Sequence, residues 1–144
     1  MADIRPLDDN FAVAPQLQPT EIAGAAEAGY RAIVNNRPDG EEAGQPEGDT
    51  IAGAAAEAGL TYSAIPITHA GFSLPQVDAL AAIMRDSDGP VLAFCRSGTR
   101  SANLWALARA RMGDDADMLT AKAAAAGYDL TNLRPLLDQM RAAR

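Results

Sequence analysis

Pro90-Val91-Leu92-Ala93-Phe94-Cys95-Arg96-Ser97-Gly98-Thr99-Arg100-Ser101 is the stretch on which the reading of this chain turns. Its apolar start, residues 90–94, has the composition of a buried strand. Ala102-Asn103-Leu104-Trp105-Ala106-Leu107-Ala108-Arg109 follows with a helical pattern. The one cysteine of the chain therefore falls at a strand-to-helix turn. Such a turn aims backbone N–H groups and the positive end of a helix dipole at its occupant. A thiolate there is stabilised by those donors and by the nearby cations Arg96 and Arg100. An ordinary core cysteine needs no such cluster, whereas an anion cradle does.

Outward from this stretch, strands and helices alternate. Residues 10–14 read as a short strand closed by Pro15. A helix opens at Pro19-Thr20-Glu21 and stops at Gly29. Residues 30–35 form a core strand, and a long polar loop, 36–48, follows it. Asp49 is placed to cap a helix over 50–58. Residues 61–67 read as a strand that stops short of Pro66 or lies at an edge there. Residues 68–72 form a loop. Ser73 and Gln76 make a capping box for an amphipathic helix bearing Val77, Leu80, Ala81 and Met84. The last third reads as helices: one leaving the Cys95 turn, one over 117–126, and one from Thr131 with Pro135 in its first turn.

Alternation of this kind implies an α/β fold with a mostly parallel central sheet flanked by helices. In such sheets sites lie beyond the carboxyl ends of the strands. That rule collects three loops on one rim: after Asn35, after Ile67, and at Cys95. Cys95 is then the nucleophile and Arg100 its cationic partner, with Ser101 placed to hydrogen-bond the thiolate. Arg96, Ser97, Gly98 and Thr99 line the anion cradle. Arg37 stands at a strand end on this rim, either to bind an anion or to pair with Asp39 or Glu41 and order its loop. His69 is placed to assist proton transfer. Trp105 fits the core.

At 144 residues the length suits a single domain, 1–144. Twelve Lys+Arg against nineteen Asp+Glu leave a net charge of −7, which argues against nucleic acid and anionic membranes as partners. A lone cysteine precludes an internal disulfide and a cysteine-rich zinc site. No metal and no cofactor are expected. A free thiol, no signal-like apolar core after Met1, and no membrane-length apolar run suit the cytoplasm.

Larger motifs then come into view. Asn35-Asn36-Arg37-Pro38-Asp39-Gly40-Glu41, Gln45-Pro46, Ile65-Pro66, Phe94–Ser101 with Leu104-Trp105-Ala106, and Ala126-Gly127-Tyr128-Asp129-Leu130 resemble the beta-lactamase-hydrolase-like, phosphatase-like family. The resemblance implies a protein-tyrosine/dual-specificity phosphatase-type fold. It also implies relatives fused to a persulfide dioxygenase domain, and a family described both as phosphatases and as sulfurtransferases. Phosphatases of that fold separate Cys and Arg by five residues. Here four lie between Cys95 and Arg100, a spacing similar to rhodanese sulfurtransferases. The loop 68–71 carries no aspartate to act as general acid, and Asp78 lies inside a helix.

Both departures point to a sulfurtransferase. In this reading Cys95 takes a sulfane sulfur from thiosulfate or a small persulfide. It passes that sulfur to an external thiol acceptor, with a persulfide dioxygenase as a possible partner. The alternative is a phosphatase acting through a Cys95 phosphocysteine, a reading that gains from a carboxylate near Cys95. A non-catalytic anion- or persulfide-binding module is third, and gains if Cys95 is inaccessible.

Overall fold

The computed structural model describes residues 2–143; Met1 and Arg144, the ends of the expected domain, lie outside them. Five strands make one sheet: β1 Arg5–Asp8, β2 Phe11–Ala14, β3 Ala32–Asn35, β4 Thr61–Ala64 and β5 Val91–Phe94. Their order is β1-β2-β5-β3-β4. β2, β5, β3 and β4 run parallel, and β1 adds an antiparallel edge. The mostly parallel sheet is therefore as expected. β1 is an addition: Arg5-Pro6-Leu7-Asp8 is too short and polar to read as a strand, and it forms by hairpin pairing with β2.

Every residue of β2, β3 and β5 is buried, as parallel strands covered on both faces must be. Alternate residues face opposite ways. Val13, Val34 and Ala93 join one core with α3 Leu74–Asp86, α4 Thr99–Arg111, α5 Ala116–Ala125 and α6 Arg134–Ala142. Ala12, Ile33, Leu92 and Phe94 join the other with α1 Ile22–Glu27 and α2 Gly48–Glu57. Trp105 is fully buried in the first core, with its Nε1–H on Asp8 at 3.3 Å.

The Ser73–Gln76 capping box forms, with Ser73 Oγ accepting from Gln76 N. Pro135 sits in the first turn of α6, and β4 ends before Pro66. Of the boundaries that differ, two are helix starts with a physical cause. α2 starts at Gly48 after Glu47, not at a cap by Asp49. The carboxylate that meets its first N–H is Asp39, at 2.8 Å across the preceding loop. α4 begins at Thr99, three residues earlier than the apolar pattern suggests. Gly98, at φ +92°, lets the chain turn from strand to helix in that space.

Candidate active site

Cys95 follows β5, the central strand, at its carboxyl end. Its N–H reaches Ala14 O at 3.4 Å, and Asn36 N–H donates to Phe94 O at 2.8 Å. The turn is thus fixed from both neighbouring strands. Gly98 N–H donates to Cys95 Sγ at 3.1 Å. Arg100 is also within reach of the sulfur. Its pKa is raised first by its hydrogen bond with Glu41 and then by its interaction with Cys95. Cys95 itself is 0 % exposed.

The three expected rim loops do converge. Arg100 Nη1 donates to Ile67 O at 2.7 Å and to Glu41 Oε2 at 2.7 Å, and Nη2 donates to Glu41 Oε1 at 2.9 Å. Glu41 comes from the loop after β3, and Ile67 from the segment after β4. Asn36 is the buried hub between them. Its Nδ2 donates to Ile65 O at 2.9 Å, and its carbonyl accepts Ile67 N–H at 2.9 Å.

Ser101 completes this hub and does not reach the thiolate. Its hydroxyl donates to Asn36 Oδ1 at 2.8 Å. That commits its only proton away from Cys95 and corrects the expected role.

Arg37 is also corrected. Its side chain is 2 % exposed, closed to an incoming anion. Nε donates to Glu41 at 2.9 Å, Nη1 to Gln16 at 3.0 Å, and Nη2 to Glu42 at 3.3 Å. It orders the loop, the second of its two expected roles, with Glu41 and not Asp39 as partner. A bidentate carboxylate beside two arginines stays ionised. Hydrogen bonding from Arg100, and then from Arg37, outweighs partial burial and lowers Glu41 to about 2.

Arg96 is 67 % exposed and meets Glu42 at 3.3 Å. Ser97 and Thr99 are exposed on the turn, joined hydroxyl to hydroxyl at 3.1 Å. His69 is exposed in the turn 68–71 and shares a shallow depression with Glu41, Ile67, Phe72, Arg100 and Asn103. Asp78 pairs with Arg111 at 3.1 Å, away from this site. A larger hollow, about 530 Å³, lies at the amino ends of β2 and β5 among Asp8, Asp88, Arg109 and Lys122. That is the end of the sheet opposite the thiol. Among the described residues no cluster suited to a metal ion occurs, and no helix is long and apolar enough to cross a membrane.

Asn36, Glu42 and Tyr128 are site residues that sequence reasoning left without a role, and Glu41 was given one only toward Arg37, not toward Arg100. For Glu41 the signal was its spacing of four from Arg37. For Tyr128, whose hydroxyl donates to Ser97 O at 3.3 Å, the motif 126–130 marked the residue but not its contact.

Known proteins share this architecture. A curated Beta-lactamase hydrolase-like protein of Xylella fastidiosa is 35 % identical over 125 residues, 86 % of this chain but 29 % of the relative. The chain thus spans about three tenths of that relative's length. A candidate phosphatase of Neisseria meningitidis, solved by crystallography, is 35 % identical, covers 96 % of this chain and 98 % of its own, and superposes with a TM-score of 0.83. Tk-PTP in its active form, 16 % identical over 98 % of this chain and 97 % of its own, shares the fold at a TM-score of 0.76. The family profile Beta-lactamase hydrolase-like protein, phosphatase-like domain, matches residues 3–112. With its cysteine turn on a phosphatase-type sheet, the chain belongs to that phosphatase-like family of beta-lactamase hydrolase-like proteins.

Proposed function

We propose that this chain is a cysteine-dependent phosphatase acting on phosphate monoesters, and that its 144 residues form one catalytic domain. The observation that carries the reading is the juxtaposition of Cys95 Sγ, the Gly98 N–H at 3.1 Å and the Arg100 guanidinium at the carboxyl end of the central strand. The phosphatase-type neighbours support phosphorus over sulfur. Glu41 also stands at the cradle, but paired with Arg37 and Arg100 it orders the cation and does not replace the missing acid.

In the proposed reaction the Cys95 thiolate attacks phosphorus. An S–P bond forms as the ester P–O bond breaks. Backbone N–H groups of the turn and Arg100 stabilise the transferred oxyanion. The leaving oxygen takes its proton from His69, which lines the same depression as Arg100, because Glu41 is ionised and cannot supply one. Water then attacks phosphorus and gives a proton back to His69; the S–P bond breaks, releasing phosphate and restoring the thiolate. Burial of Cys95 is the feature that favours a binding-only module. Catalysis requires the rim to open, and the weak, exposed Arg96–Glu42 contact is where an incoming anion first competes.

Sulfur transfer remains as a second reading, on the four-residue spacer between Cys95 and Arg100. There the thiolate attacks the outer sulfur of thiosulfate, sulfite leaves, and the Cys95 persulfide passes its sulfur to an external thiol, with a persulfide dioxygenase as downstream partner. A cytoplasmic, reducing setting fits either chemistry.

The discriminating experiment pairs phosphate release from aryl phosphates and a phosphotyrosine peptide with intact mass after thiosulfate treatment. Phosphate release that Cys95→Ser abolishes, without mass gain, is the expected result. A stable added sulfur on Cys95 without phosphate release transfers the assignment to sulfur. Neither result leaves a binding module.

A further inference from the structure

The Ser97–Gly98 peptide is gripped at both ends. Its N–H, on Gly98, donates to Cys95 Sγ at 3.1 Å. Its carbonyl, on Ser97, accepts the Tyr128 hydroxyl at 3.3 Å. Tyr128 arrives from the turn after α5 and is 7 % exposed. Its ring presses on the active turn so closely that a Cβ added to Gly98 would lie 2.3 Å from the phenol oxygen. Arg5 of β1 stands over the ring, 5.7 Å from its centroid, and is itself held by Ala126 O at 3.3 Å.

We propose that Tyr128 is a positioning residue for the nucleophile: its hydroxyl holds the Ser97–Gly98 peptide so that the Gly98 N–H points at the Cys95 sulfur. The peptide unit is planar, so fixing its oxygen fixes the direction of its N–H. Glycine at positive φ offers little steric resistance to rotation of that plane, so an outside hold is needed. A carbonyl that accepts a hydrogen bond also makes the amide of its own unit a stronger donor. Arg100 also interacts with the sulfur. Arg100 is raised by Glu41 and Tyr128 by burial, so both keep their protons through the neutral range. The inference rests on Cys95 acting as a thiolate, which the phosphorus and sulfur readings share.

The test is Tyr128→Phe, which keeps the ring and removes the hydroxyl. Thiolate formation is followed by ultraviolet absorbance against pH. Each protein is measured against its own Cys95→Ser counterpart, which subtracts the tyrosines. The midpoint is expected to rise by about half a pH unit, leaving roughly threefold less thiolate below it. Tyr128→Leu is expected to shift it at least as far. If the leucine variant fails to fold, the phenylalanine variant alone carries the test. An unchanged or lowered midpoint in Tyr128→Phe overturns the proposal, and a changed melting temperature with a fixed midpoint shows mere packing and overturns it too. No substrate is used, so a shifted midpoint stands even where no phosphate ester is hydrolysed.

Discussion

Glu41 holds Arg100 by the end of its guanidinium, Oε2 on Nη1 at 2.7 Å and Oε1 on Nη2 at 2.9 Å. Ile67 O takes the other Nη1 proton. Of the five N–H donors of an arginine, that leaves Nε–H and the second Nη2–H among the described contacts. Those two form the fork with which arginine clasps an oxyanion. The carboxylate orders the cation and keeps its binding edge available.

Glu41→Gln tests this electrostatically. The folded carboxyl is held at about 2 against an ordinary 4.5. A depressed carboxyl stabilises the fold fully above its unfolded value, and the contribution is lost as pH falls from about 4.5 toward about 2. Wild type should therefore melt about 3 °C above the variant at neutral pH, with the gap closing on acidification. A gap that widens in acid would contradict the ion pair.

Arg37→Met should destabilise the protein by about 2 kcal/mol, since it breaks a buried network whose carboxylates keep partial exposure. Urea unfolding measures this directly. Unchanged stability with only a raised KM for an anionic substrate would return Arg37 to the substrate-binding role.

Ser101→Ala should cost about 1–2 kcal/mol, because the buried Asn36 Oδ1 loses its donor. The thiolate midpoint of Cys95 should stay in place, since the hydroxyl does not point to sulfur. Thermal melting together with the absorbance titration separates these effects, and a moved midpoint would restore the thiolate contact.

His69→Asn should slow hydrolysis of an alkyl phosphate about 100-fold while barely affecting a nitrophenyl ester, whose leaving group needs no proton. Steady-state kinetics on the two substrates decide it. Equal slowing of both would assign the 68–71 turn to binding and not to proton transfer.

The parallel strands, their rim and the place of Cys95 at a strand-to-helix turn were legible because they are written locally. An apolar run before Cys95 and a glycine two residues ahead of Arg100 suffice to place a strand, a turn and a helix. Ser101 was misread, and Arg37 left between two roles, because the contacts that decide them are made by the folded rim. Ser101 meets Asn36 across 65 residues, and Arg37 is buried by Gln16 and an acidic pair that sequence shows only as a charged loop. Tyr128 meets Ser97 across 31 residues, by helix packing that no short motif encodes. β1 was missed for the same reason: its strand character comes from β2, not from its own residues.

β5 is paired on both sides, with β2 and β3. Its amides should be among the slowest in the protein to exchange with deuterium, opening only when the whole domain opens. The loops that deliver Glu41 and His69 have no such double anchorage and should exchange early. β2 and β3 share this double pairing, so the sulfur follows one of three strands expected to open slowly, while the groups around it are expected to move on a faster clock. On the proposed reading turnover is expected to follow the opening of the rim, and heating or denaturant should alter reactivity well before it alters the strand that leads to Cys95.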